Sequence, residues 1–184
     1  MTSRAIYLQA KIAGNLVRVH CADRVDGWVE GFIAGVGRDF FALEVVEGSA
    51  CLNGFSCMRF DDITKIEIPA PHSKFIVKTL ELKKIVRSEE PDLNLWSLQG
   101  LLESGARLFP LTSLFIQRKD GELSDFCYIG KIISVSNSEV TIACIDPNAK
   151  WYDDHDTYPL DLIYRVDYGD EYAKALFLVS SADP

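Results

Sequence analysis

Displaced against itself by about 99 residues, this 184-residue chain falls into register with its own second half. No other feature narrows its possible folds as much. Gly31-Phe32-Ile33-Ala34-Gly35-Val36 lies on Gly130-Lys131-Ile132-Ile133-Ser134-Val135, and Asp39-Phe40-Phe41-Ala42-Leu43-Glu44 lies on Ser138-Glu139-Val140-Thr141-Ile142-Ala143. With one extra residue in the second copy, Phe60-Asp61-Asp62-Ile63-Thr64-Lys65-Ile66 meets Leu160-Asp161-Leu162-Ile163-Tyr164-Arg165-Val166. Upstream, Leu16-Val17-Arg18-Val19-His20 meets Phe115-Ile116-Gln117-Arg118-Lys119. So long a period suits a whole small domain copied once, because solenoid units repeat every ~20–50 residues. The extra residue is expected in a hairpin loop, where length changes are absorbed.

Each copy reads alike. Helical spacing comes first, with Ile6, Leu8 and Ile12 in one copy and Leu95, Leu98, Leu101 and Leu102 in the other. Strands are expected over residues 15–20, 27–36, 40–47, 55–60 and 65–68, which are rich in Val, Ile, Phe and Trp. Gly35 and Gly37 mark one turn, matched by Asn137 and Ser138, and Asp61-Asp62 marks a tight turn before the last strand. Residues 73–87 predict a linker helix that covers a sheet edge, and residues 170–180 are its counterpart. The polar, proline-closed stretch Ser88-Glu89-Glu90-Pro91 divides the chain into residues 1–90 and 91–184.

A short helix, five strands and a tight turn before the fifth resemble the Sm-like (LSm) arrangement within the SH3-like barrels. Gly31 and Asp39-Phe40-Phe41-Ala42-Leu43 are similar to that family's first motif, with Ala42 where the family carries an RNA-gripping Asn. The second copy has Thr141 and Ile142 there, and Met58-Arg59-Phe60 and Tyr158-Pro159-Leu160 stand where the family has its Arg-Gly pair. The resemblance therefore implies a mainly β chain, a tandem duplication of a small five-stranded barrel with a short N-terminal helix on each copy. It does not carry over the RNA-contacting residues. Fold alone does not assign a function.

Charge separates the copies. The first 91 residues hold 12 Lys and Arg against 12 Asp and Glu, and the rest hold 7 against 15, so the net charge of −8 belongs to the second half. Such a half repels phosphate backbones. The segment Trp151, Tyr152, Asp153, Asp154, His155 and Asp156 sets aromatics beside carboxylates, which suits the capture of a basic protein partner. It lacks the central Gly and distal Glu of a calcium loop, and only His20 and His72 remain to complete a zinc site. The bland reading is a solvated acidic turn between strands three and four. The basic residues Lys74, Lys78, Lys83, Lys84 and Arg87 are the one stretch suited to RNA. The more ordinary reading of them is a solvated helix face.

No nucleophile elbow, P-loop or dinucleotide fingerprint occurs, and Cys57 reads as a buried thiol. Trp28, Trp96 and Trp151 read as packing residues, with Trp96 expected at the interface between copies. Five cysteines without CxxC spacing fit reduced thiols, and no apolar run reaches the ~20 residues of a membrane span. The expectation is a cytoplasmic, non-catalytic interaction module without metal or cofactor, such as an acidic inhibitor or adaptor for a basic protein. The alternative is an RNA-binding Sm-like protein using the first copy. In either case exposed strand edges would permit oligomers.

Overall fold

The computed structural model describes residues 4–21, 27–48, 50–117 and 126–180. The chain is mainly β, and one succession of elements occurs twice. Helix α1 (Arg4–Ala13) leads into β1 (Leu16–Cys21), β2 (Trp28–Val36), β3 (Phe40–Glu47) and β4 (Cys51–Arg59). A 3-10 turn (Phe60–Asp62), β5 (Ile63–Glu67) and helix α2 (Ser73–Leu82) follow. The second half repeats the order with α3 (Leu98–Leu108), β6 (Thr112–Ile116), β7 (Phe126–Val135), β8 (Glu139–Cys144) and β9 (Asp156–Pro159). It ends in a 3-10 turn (Leu160–Leu162), β10 (Ile163–Tyr168) and α4 (Glu171–Val179).

The ten strands of the described residues belong to one open antiparallel sheet, in the order β5-β1-β2-β3-β4-β10-β6-β7-β8-β9. The halves are joined strand to strand, Met58 facing Arg165, Cys57 facing Val166 and Ser56 facing Asp167. Their ladders also share their irregularities. The register shifts between Ile33 and Gly35 in one half and between Ile132 and Ser134 in the other. The recurring glycine has a steric cause: a Cβ on Gly31 would strike the Glu44 carbonyl, and one on Gly130 would strike that of Ala143. Close approach of backbones at a bend admits only glycine.

Pairing corrects the sequence alignment in two places. Gly31 faces Val17 and Gly130 faces Thr112, so Leu16-Val17-Arg18-Val19-His20 corresponds to Leu111-Thr112-Ser113-Leu114-Phe115. The expected match to residues 115–119 slips by four because the link before β7 is longer than the one before β2. Residues 118 and 119 lie outside the described residues. The single extra residue is not in a hairpin loop either. Ile145 bridges Trp151 as Val46 pairs Leu52, whereas Ile142 pairs Asp156 as Leu43 pairs Ser56. The insertion therefore falls between Trp151 and Asp156 and interrupts the fourth strand, leaving four residues where β4 has nine.

Burial corrects the helix and tryptophan expectations. α1 buries Tyr7 and Ala10, while Ile12 is 87% exposed, because the inward stripe lies one position away from the expected one. Trp96 is 60% exposed and Trp28 is 49% exposed, the latter under the Arg18 guanidinium at 4.0 Å. Leu95 makes the contact expected of Trp96: it is buried, and its carbonyl accepts from the Phe40 N–H at 3.1 Å. The expected helix over residues 73–87 stops at Leu82, with Lys84 in the left-handed region at φ 56°. One apolar cluster runs across both halves, from Ala42, Phe55 and Cys57 to Leu101, Leu114, Val166 and Tyr168. Among the described residues no helix is long and apolar enough to cross a membrane.

Candidate functional site

The interrupted fourth strand forms one wall of a broad groove. Its turn is built locally. The Asp146 carboxylate accepts from the Asn148 N–H at 2.8 Å and the Lys150 N–H at 2.9 Å, closing a compact hairpin. Those hydrogen bonds hold the carboxyl below the usual carboxylate range, the one from Lys150 contributing most. After the hairpin Trp151 packs inward beside Leu111, Ile145, Ala173 and Leu176. The next residue, Tyr152, is 57% exposed. The acidic segment is thus an interruption within a strand and not the turn between strands three and four, which residues 146–150 make.

Helix α4 supplies the opposite wall. Asp170 caps it, accepting from the Ala173 N–H at 2.8 Å, and Ala173 and Leu176 seat it on the sheet. Between the walls lies a groove of about 820 Å³ with Cys127, Tyr128, Ile129, Cys144, Ile145 and Pro147 on its floor. Tyr152 and Tyr172 stand at its mouth with Asp153, Asp154 and Asp156. Among the described residues, every charged one lining it is an aspartate. Burial pushes the Cys144 thiol up to about 12, and the neighbouring Asp156 carboxylate adds to the rise. Four of the five residues expected to bind a partner, Tyr152, Asp153, Asp154 and Asp156, therefore share one groove, and Trp151 supports it from below. The sequence reading missed Tyr128, Tyr172 and Leu176, which the pairing of β7 with β8 and the packing of α4 bring in from distant positions.

The lysines expected to contact RNA do not gather in the same way. Lys74 and Lys78 line a groove of about 460 Å³ with Gly14, Asn15 and Pro69. Lys78 is drawn to Glu81 at 3.0 Å, and Lys83 reaches across to the Ala50 carbonyl at 3.4 Å. Lys84 sits beyond the helix end. Arg87 folds over Phe32 at 4.4 Å and meets the buried Glu44 carboxylate at 3.3 Å. At the position of the family's Asn, Ala42 is fully buried in the cluster the halves share. Near it, Arg38 grips Asp39 at 2.8 and 2.9 Å beside a smaller pocket of about 340 Å³ that also holds Arg59 and Ser97.

Cys57 is buried, and burial raises its thiol well above the ordinary value. His20 meets Glu67 at 2.7 Å, across strands β1 and β5 at the other end of the strand order from β9. No group of three or more His, Cys, Asp or Glu among the described residues could hold a metal ion. Compared with known proteins, the chain matches no family model, no curated protein and no solved structure.

Proposed function

We propose that the chain is a tandem of two Sm-like barrels acting as a non-catalytic interaction module, whose second copy takes a basic segment of a protein partner. The observation that carries this reading is the groove between the 152–156 segment and α4, apolar on its floor and charged, among the described residues, by Asp153, Asp154 and Asp156 alone. Lys and Arg have long aliphatic stems and cationic heads, so a basic segment can bury its stems on Cys127, Ile129 and Leu176 and set its heads against the aspartates. Tyr152 and Tyr172 add cation-attracting faces at the mouth. An inhibitor or adaptor that occupies a basic protein would use this surface, and acidic rim charges would speed the encounter more than tighten the complex.

The rival, RNA binding by the first copy, is favoured only by Lys74 and Lys78 beside their own groove. A fluorescein-labelled peptide alternating Arg and Leu, one alternating Glu and Leu, and an oligouridine probe separate the readings by fluorescence anisotropy. The proposal expects the Arg-Leu peptide alone to bind, with NMR shifts at Tyr152 and Tyr172. It also expects a loss of about tenfold or more when Asp153 and Asp154 both become Asn. Binding of oligouridine that weakens when Lys74 and Lys78 become Glu would favour the rival, and equal binding of both peptides would overturn the proposal.

A further inference from the structure

We infer that the open edge at β9 is built to refuse the strand pairing that its counterpart β4 makes, so that copies of this chain do not join head to tail. The inference stands apart from the groove reading, because it rests on sheet register. At the internal junction β10 meets β4 with Arg165 facing Met58, Val166 facing Cys57 and Asp167 facing Ser56. The two outer edges of the sheet, β5 and β9, hold the same places in their halves as β10 and β4. The ladders fix the correspondence: Lys65 and Ile63 face β1 as Arg165 and Ile163 face β6, and Met58 faces Phe41 as Tyr158 faces Val140. An identical junction between two copies would therefore place Lys65 opposite Tyr158, Ile66 opposite Thr157 and Glu67 opposite Asp156.

The last of these pairs decides the matter. Where the internal junction sets Asp167 against the uncharged Ser56, a junction between copies would set a carboxylate against a carboxylate. Like charges directly opposite on neighbouring strands destabilise the pairing. Two further features act in the same direction. The residue inserted between Trp151 and Asp156 leaves β9 four residues long, and Pro159 has no N–H to give a ladder. Short, bulged, charged strands are how exposed edges avoid edge-to-edge growth. Ser56 and Cys57 on β4 are fully buried and set no charge against Asp167 and Val166.

Sedimentation velocity tests the inference from about 10 to about 200 µM, a range in which weak edge pairing registers by mass action. The wild-type chain is expected to sediment as one chain throughout. Deleting His155 and replacing Asp156→Ser restores the length and chemistry of β4, and is expected to strengthen self-association by about tenfold or more. A second variant, Glu67→Lys, changes only an edge side chain and sets opposite charges across the same junction. At low salt it is expected to associate weakly, and adding Asp156→Lys is expected to abolish that association. Wild-type self-association that Glu67→Lys weakens would overturn the inference. So would failure of both variants to associate while Glu67→Lys keeps its native circular dichroism.

Discussion

Strands β4 and β9 hold the same place in their halves and face equivalent partners, yet one runs nine residues and is buried from Phe55 to Met58, and the other is a four-residue edge that opens on Asp156. The contrast extends to matched positions nearby. Ser56 corresponds to Asp156, the buried Glu44 to Ala143, Ala10 to Gly105, and Ile68 to Tyr168. Each exchange follows the company the position keeps. Where β4 is sealed by β10 it carries the uncharged Ser56 and Cys57, and at the open edge the matched position carries Asp156. Tyr168 fills the junction between halves, stacked on Phe109 at 5.2 Å and donating its hydroxyl to the Leu101 carbonyl at 3.2 Å. A Cβ on Gly105 would collide with its ring. The two halves thus differ where they meet each other and at the open β9 edge.

The largest test of the contrast is Tyr168→Ala, expected to cost about 3–5 kcal/mol in urea unfolding, against about 1–2 kcal/mol for Ile68→Ala. Because the apolar cluster is shared, both should leave a single unfolding transition, and two separable transitions would show the halves to be independent. Next, Glu44→Ala removes the acceptor of the Ser88 N–H at 2.7 Å and the partner of Arg87, with an expected cost of about 2–3 kcal/mol. Gly105→Ala should cost about 1–3 kcal/mol by overpacking against Tyr168. The reverse exchange in the first half, Ala10→Gly, should cost about 1 kcal/mol through helix propensity alone.

The smaller tests are titrations. The hydrogen bond from His20, aided by Lys65, holds the Glu67 carboxyl below its usual range. A lowered folded value stabilises the fold above the unfolded carboxylate pKa of about 4.3, and the contribution is lost as pH falls through the folded value. His20→Ala should therefore raise the Glu67 midpoint in an NMR titration. At the matched position Asp167 is held by the Arg165 guanidinium at 2.8 Å, while Phe115 stands where His20 does. Least of all, Asp156→Asn should lower the Cys144 thiol from about 12 and modestly speed its alkylation, burial still keeping it above an ordinary thiol.

The strands of the first half were legible because alternation and β-branched content leave few other options. Residues 40–47 were located to the residue, and β4 was seen only in its second part. The acidic segment was legible as a cluster of ligand-like side chains, but not its setting. Nothing near Asp153 announces Tyr128, Tyr172 or Leu176. The basic stretch misled for a related reason: spacing along a helix says nothing of Glu81, Ala50 or Glu44, which take up Lys78, Lys83 and Arg87.

By itself the sequence determined the repeated order of elements and the seating of all excess acidity in the second half, since periodicity, turn residues and charge are local properties. Only the tertiary structure decided that β4 would seal against β10, that the extra residue would break β9, and that Leu95 and not Trp96 would close the seam. Pairing register and burial depend on segments far apart in the chain, and a side chain's surroundings are set by whichever strand arrives beside it.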